Sequence, residues 1–228
     1  MLSPEEWIAI LLSLRVASVA VLVSLIPGIV LAYLLSRGRF PGRILLEGLV
    51  YLPLVLPPVV VGYGLLLLFG KRGPLGQFFE DVIGLTFAFS WRGAVLAAAV
   101  MGFPFLVRAV RLSLDAVDPG LEAAARTLGA GRCRVFFTVT LPLIAPGILA
   151  GALLSFAGAL GEFGATITFV ASIPGETSTI PLSIYRAVQS VGGEAAAARL
   201  AVISVVLAMI ALGLSELLAR RWKRRLAG

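Results

Sequence analysis

The chain has 228 residues, 59% of them hydrophobic and 14% charged, with a formal net charge of +7. A soluble domain runs at about 45–50% apolar and about 25% charged, so the composition is that of an integral membrane protein. With no histidine and one cysteine, Cys133, the sequence excludes a His/Cys metal site, a Ser-His-Asp triad and a disulfide framework.

Glu5 and Glu6 precede the first apolar run, where a cleaved signal would carry positive charge, and the run continues to about Ser36. It is therefore expected to stay in the mature protein. A spanning helix needs about 20 apolar residues, and segments of about 7–36, 44–69, 90–112, 142–171 and 195–219 qualify. Their continuous apolarity favours helices over a barrel, which needs alternation. The expected fold is all-α, a polytopic membrane bundle of five transmembrane helices within a single domain, 1–228. Pro27-Gly28 in the first run, and Pro53, Pro57-Pro58, Gly62 and Gly64 in the second, predict kinks or unwound turns, or simply packed bends.

Alternating the five spans places loop 37–43, segment 108–140 and tail 220–228 on one side, together with most of the arginines and lysines. That side is expected to be cytoplasmic, with the N-terminus outside and the C-terminus inside. Arg15 and Arg199 are expected to snorkel near the outer span ends, and Arg92 to pair with Trp91 at an interface. The tail Arg220-Arg221-Trp222-Lys223-Arg224-Arg225 is expected to touch anionic membrane lipid, with no nucleic-acid partner.

The most legible stretch is 115–142. Asp118 is an N-cap residue, Pro119 suits the first helical position, Glu122 favours the helix dipole and Gly129 is a natural terminator. Together they predict a short helix of small residues, Ala123, Ala124 and Ala125, followed by Arg126 and Leu128. A second helical stretch, about Arg132 to Val139, is expected to end at Leu141-Pro142. The short helix reads either as a solvated loop helix or as a docking element for a cytoplasmic partner.

Ala124-Ala125, Gly129, then Val139 and Leu141-Pro142 resemble the "EAA" loop of ABC importer permeases, EAA-x3-G-x9-I-x-LP. Val139 stands for the isoleucine, and the acid slot holds Ala123, with Glu122 one place early. Further runs resemble the permeases of molybdate uptake, with parts shared by those for tungstate and sulfate. They are Leu52–Val60, Phe87–Gly93, Leu160–Thr166 and Ile173–Thr177. The resemblance implies a MetI-like fold in the plasma (inner) membrane and a homodimer around a central pathway. It also implies cytoplasmic ABC ATPase subunits that bind ATP and magnesium, leaving this chain without a cofactor, and an external molybdate-binding protein. Consistently, no G-x4-G-K-[ST] loop occurs in the chain. The implied role of 118–129 and Leu141-Pro142 is ATPase coupling. A rival of another class is an autonomous anion channel or carrier.

Glu162 falls inside the fourth apolar run, and an intramembrane carboxylate is a functional candidate. It reads as a gate or as a structural salt bridge with Arg92 or Arg108. Gly161 and Gly164 read as close-packing positions. Thr166 and Thr168 could offer hydroxyls to a passing tetrahedral oxyanion, or bond their own helix backbone.

Overall fold

A computed structural model describes residues 2–226, and the side chains of 215, 216 and 218–226 lie outside that description. The expected lipid contacts of the basic tail therefore fall outside the described side chains. The described residues are helical and contain no strand.

Helix α1 (Pro4–Arg37) starts on a capping box in which Ser3 and Glu6 each accept the other's backbone N–H. It runs through Pro27 without a break. Helices α2 (Arg43–Val55) and α3 (Pro58–Phe69) are bent by 116° at Leu56-Pro57. Two consecutive prolines cannot supply the backbone donors that would carry a helix across this point. The second run is thus a broken span rather than a kinked one. Helix α4 (Pro74–Ile83) is an outlying turn whose Phe79 packs on Phe69 and Phe87.

Helix α5 (Trp91–Asp115) is the hub, lined by Gly93, Ala94, Ala97, Ala98 and Gly102, whose small side chains admit close neighbours. Helices α6 (Pro119–Thr127) and α7 (Arg132–Val135) follow. A π-helical turn, Phe136–Thr140, then leads without interruption into α8 (Leu141–Leu160). The stretch expected to end at Leu141-Pro142 is therefore the start of one spanning helix, Arg132–Leu160. Pro142 cannot donate to the carbonyl four residues back, and the wider turn before it, with Leu141 N–H bonding Phe136 O, absorbs the mismatch.

The fourth run also ends earlier than expected. Helix α8 stops at Leu160, and Gly161–Phe163 lead into a separate helix, α9 (Gly164–Val170). Helix α10 (Ile180–Val188), which the apolar runs did not predict, precedes α11 (Glu194–Leu226).

Two apolar clusters divide the bundle along its length. One joins the first half of α1, the start of α5, the end of α8, α9 and Leu65 of α3. The other joins the last turns of α1 and α5, the start of α8 and Val50 of α2. Since α2 packs in one cluster and α3 in the other, the bent pair passes from one end of the bundle to the other. With four helices long and apolar enough to span, it makes up to five crossings.

Candidate functional site

The site lies at the α6 end of the bundle. Asp118 caps α6, its carboxylate accepting Gly120 N–H at 2.8 Å, and Pro119 opens the first turn. At the other end, Gly129 takes φ +82°, a left-handed turn that glycine enters without a Cβ clash. Gly129 N–H bonds Arg126 O at 2.9 Å, and Ala130 N–H bonds Ala125 O at 3.1 Å. The short helix predicted from its punctuation is therefore present with those caps.

Helix α6 buries one residue, Glu122, which is 7% exposed. Ala123, Ala124, Arg126 and Leu121 are exposed, and Leu128 just beyond is 89% exposed. A nine-residue helix has too few internal bonds to persist alone. What ties it to the bundle is a carboxylate with two partners outside α6 and one, Arg126, within it. Thr140 of the π-helical turn donates its hydroxyl to Glu122 Oε1 at 2.9 Å. Arg37, in the last turn of α1, approaches Oε1 at 3.6 Å, and Arg126 approaches Oε2 at 3.8 Å.

Arg37 also donates Nη2 to Leu114 O at 3.2 Å and Val117 O at 3.3 Å. It thereby adds a donor to Leu114 O, which also accepts Val117 N–H at 3.2 Å, and caps Val117 O just past α5. Beside it, Ser36 donates to Asp115 at 2.5 Å, and Arg111 pairs with Glu47 of α2 at 2.5 Å. The ends of α1, α2, α5, α6 and α8 thus meet in one polar network. Leu141 is half-buried and packs on the adjoining apolar cluster, and Pro142 is exposed. Glu122, although one position early for the motif, makes the ion pairs. Sequence reading missed Arg37 and Thr140. An arginine closing the first span was visible, but nothing tied it to Glu122.

The second group of candidates gathers at the α8–α9 break. Glu162 forms no ion pair among the described residues, so a salt bridge with Arg92 or Arg108 is set aside. Its Oε1 instead accepts Ala165 N–H at 2.7 Å and holds the first turn of α9. This backbone donor is one that a helix start leaves open. Gly164 sets its Cα against Pro58 of α3, and Gly62 of α3 lies against the backbone of Ala165. Gly161 has no such close neighbour. Thr166 is buried, and Thr168 bonds its own helix, donating to Gly164 O at 2.9 Å. Helix α3 and the short α9 therefore cross backbone to backbone.

At the opposite end, Arg199 does not snorkel. Its guanidinium grips Glu6 Oε1, Nη2 at 2.8 Å and Nε at 3.0 Å, and Glu6 is 4% exposed. Arg15 lies over the Trp91 ring, 3.9 Å from its centroid, a cation–π contact.

Residues 16–224 match the family described as binding-protein-dependent transport system inner membrane component. The chain belongs to this family. It is 62% identical over 224 residues to the molybdenum transport system permease protein ModB of Escherichia coli K12, covering 98% of each chain. It is 54% identical to the protein of the same name in Haemophilus influenzae, covering 97% of this chain and 96% of that one. The sulfate transport system permease protein CysT of Salmonella typhimurium is 38% identical, with 99% of this chain and 81% of that one covered. Among solved structures, an inward-facing form of the MetNI methionine ABC transporter superposes with a TM-score of 0.74 at 18% identity, covering 97% and 99% of the two chains. This likeness shows a fold shared with ABC importers. The family places the chain in the inner membrane as a multi-pass transport component, and its capped α6 occupies the interval between α5 and α8.

Proposed function

We propose that this chain is the membrane-spanning subunit of an ATP-driven ABC importer whose cargo is molybdate. The observation that carries the mechanism is α6, a short helix of mostly small residues exposed on every side but one and tethered by a single buried carboxylate. Such a helix fits a groove on a separate ATPase subunit better than it fits solvent. Ala123 and Ala124 permit close approach, while Leu121 and Leu128 supply apolar anchors. The α6 end is cytoplasmic in this reading, where the basic loops also lie, so the N-terminus is outside and the C-terminus inside.

Two copies surround a pathway on their two-fold axis. ATP and magnesium stay with the ATPase, and an external binding protein delivers the oxyanion. Closure of the ATPases pushes α6, and the Glu122–Arg37–Thr140 tether passes that movement to α1 and α8. The paired bundles alternate between inward and outward access. Molybdate is favoured over sulfate because the relatives named for molybdenum share 62% and 54% identity, against 38% for the relative named for sulfate.

Reconstitution tests the reading. The chain is co-expressed with its ATPase partner, and ATP hydrolysis is followed with binding protein loaded with molybdate, tungstate or sulfate. Stimulation by molybdate that is lost when Ala124 and Gly129 are replaced by bulky residues is the expected result. Stimulation by sulfate alone overturns the cargo. Anion flux through the chain in liposomes without any ATPase overturns the importer.

A further inference from the structure

A groove of about 850 Å³ opens between the α6-side half of α1 and the junction of α7, the π-helical turn and α8. Its floor is apolar, formed by Ile26, Ile29, Val30, Phe136 and Phe137. Ile26, Val30 and Phe137 are exposed there. Its rim is basic, carrying Arg37, Arg126 and Arg132, and its lining contains no acid. Arg132 has no ion pair among the described residues. Arg126 and Arg37 share one carboxylate, Glu122, and the buried Nε of Arg37 has no partner. The rim therefore holds more positive charge than its own protein partners neutralise.

The depth of the groove identifies an occupant. From Ile26 to Arg37 the helix rises about 16 Å, which is close to half the ~30 Å hydrocarbon thickness of a bilayer. A slot one leaflet deep, apolar along its length and cationic at its mouth, matches the two ends of a single anionic phospholipid. Basic pockets between spanning helices on the cytoplasmic side select such head groups. We propose that this groove binds one anionic phospholipid of the inner leaflet, its phosphate between Arg126 and Arg132 and an acyl chain along α1.

Cys133 is exposed, lines the groove and is the only cysteine of the chain. A bimane fluorophore attached there to the full chain in nanodiscs reports the arrival of brominated lipid by quenching. Dibrominated phosphatidylglycerol is expected to half-quench at a mole fraction at least tenfold below that of dibrominated phosphatidylethanolamine. Arg126→Gln and Arg132→Gln are each expected to weaken that preference about fivefold. Val30→Trp, which fills the floor, is expected to reduce quenching by both lipids. Equal quenching by the two lipids, or a preference that survives both arginine substitutions, overturns the proposal. Loss of Cys133 labelling in the ATPase-bound complex also overturns it, because a protein element then covers the groove. The choice of the inner leaflet rests on the proposed orientation, whereas the quenching outcomes need neither the ATPase nor turnover and so fail or hold separately from the importer reading.

Discussion

Replacing Glu122 with alanine removes the acceptor of Thr140 and the counter-charge of Arg37 and Arg126 together. Thr140 is buried, and a buried hydroxyl left without a partner costs about 1–3 kcal/mol. Arg37 keeps the Leu114 and Val117 carbonyls, so its lost ion pair adds only about 1 kcal/mol. The combined loss of about 2–4 kcal/mol falls on a helix that buries nothing else. The undocked population of α6 should therefore rise roughly thirtyfold to several hundredfold. Hydrogen exchange read by mass spectrometry should show that acceleration across 119–128, with the buried amides of α5 and α8 unchanged. In the reconstituted complex, oxyanion uptake should fall further than ATP turnover, because the ATPase still closes but pulls on a loosened tether. Glu122→Gln, which keeps an acceptor for Thr140 and loses only charge, should lie between. If exchange in α6 stays within twofold of the unaltered chain after Glu122→Ala, the carboxylate is not the anchor and the coupling argument fails.

Gly129→Val places a β-branched residue at φ +82°. It should destabilise the turn by about 1–2 kcal/mol, visible as faster exchange confined to α6 and α7. Gly62→Ala would set a Cβ 2.5 Å from the carbonyl oxygen of Ala165, and overpacking of about 1–3 kcal/mol should lower the melting temperature by about 3–10 °C. Gly64→Ala, which lies inside α3 and meets nothing within 4 Å, should raise the melting temperature by a few degrees at most, and equal effects at both positions would refute the backbone crossing. Arg199→Met leaves Glu6 with the Ser3 N–H as its remaining partner and should cost about 1–3 kcal/mol in unfolding by denaturant. The double variant with Glu6→Gln should recover most of that loss, and a failure to recover would show that the pair does not carry the effect.

The spans were legible because length and apolarity decide them, and α6 because Asp118, Pro119 and Gly129 punctuate it. The breaks were legible only where a residue type forces them. Pro57-Pro58 announced a disruption, yet the 116° bend depends on what α3 packs against. The gap at Gly161–Phe163 was hidden because the apolar residues on either side keep the hydropathy of 142–171 high, while Glu162 turns back to hold Ala165 N–H. Pro142 suggested a boundary that the π-helical turn removes. The tethers were illegible for another reason. Glu122 with Arg37, and Glu6 with Arg199, join residues far apart in the chain, and no local pattern distinguishes a paired arginine from one that snorkels.

The two groups of candidate residues are joined by one helix. Helix Arg132–Leu160 is a single body, about 43 Å long by its rise. It joins Thr140, which bonds Glu122, to the break where Glu162 holds α9. Close-packed interiors deform little within a helix and yield where hydrogen bonding is interrupted. Between the two groups lie the π-helical turn, Pro142 and Pro146, where the ladder is interrupted, and beyond the α8–α9 break Gly62 of α3 lies against Ala165. Helices α3 and α9 each adjoin a break in the backbone ladder, while α1 and α5 run unbroken. In the proposed importer, a push on α6 is expected to enter α8 at Thr140 and to be felt where α9 meets α3.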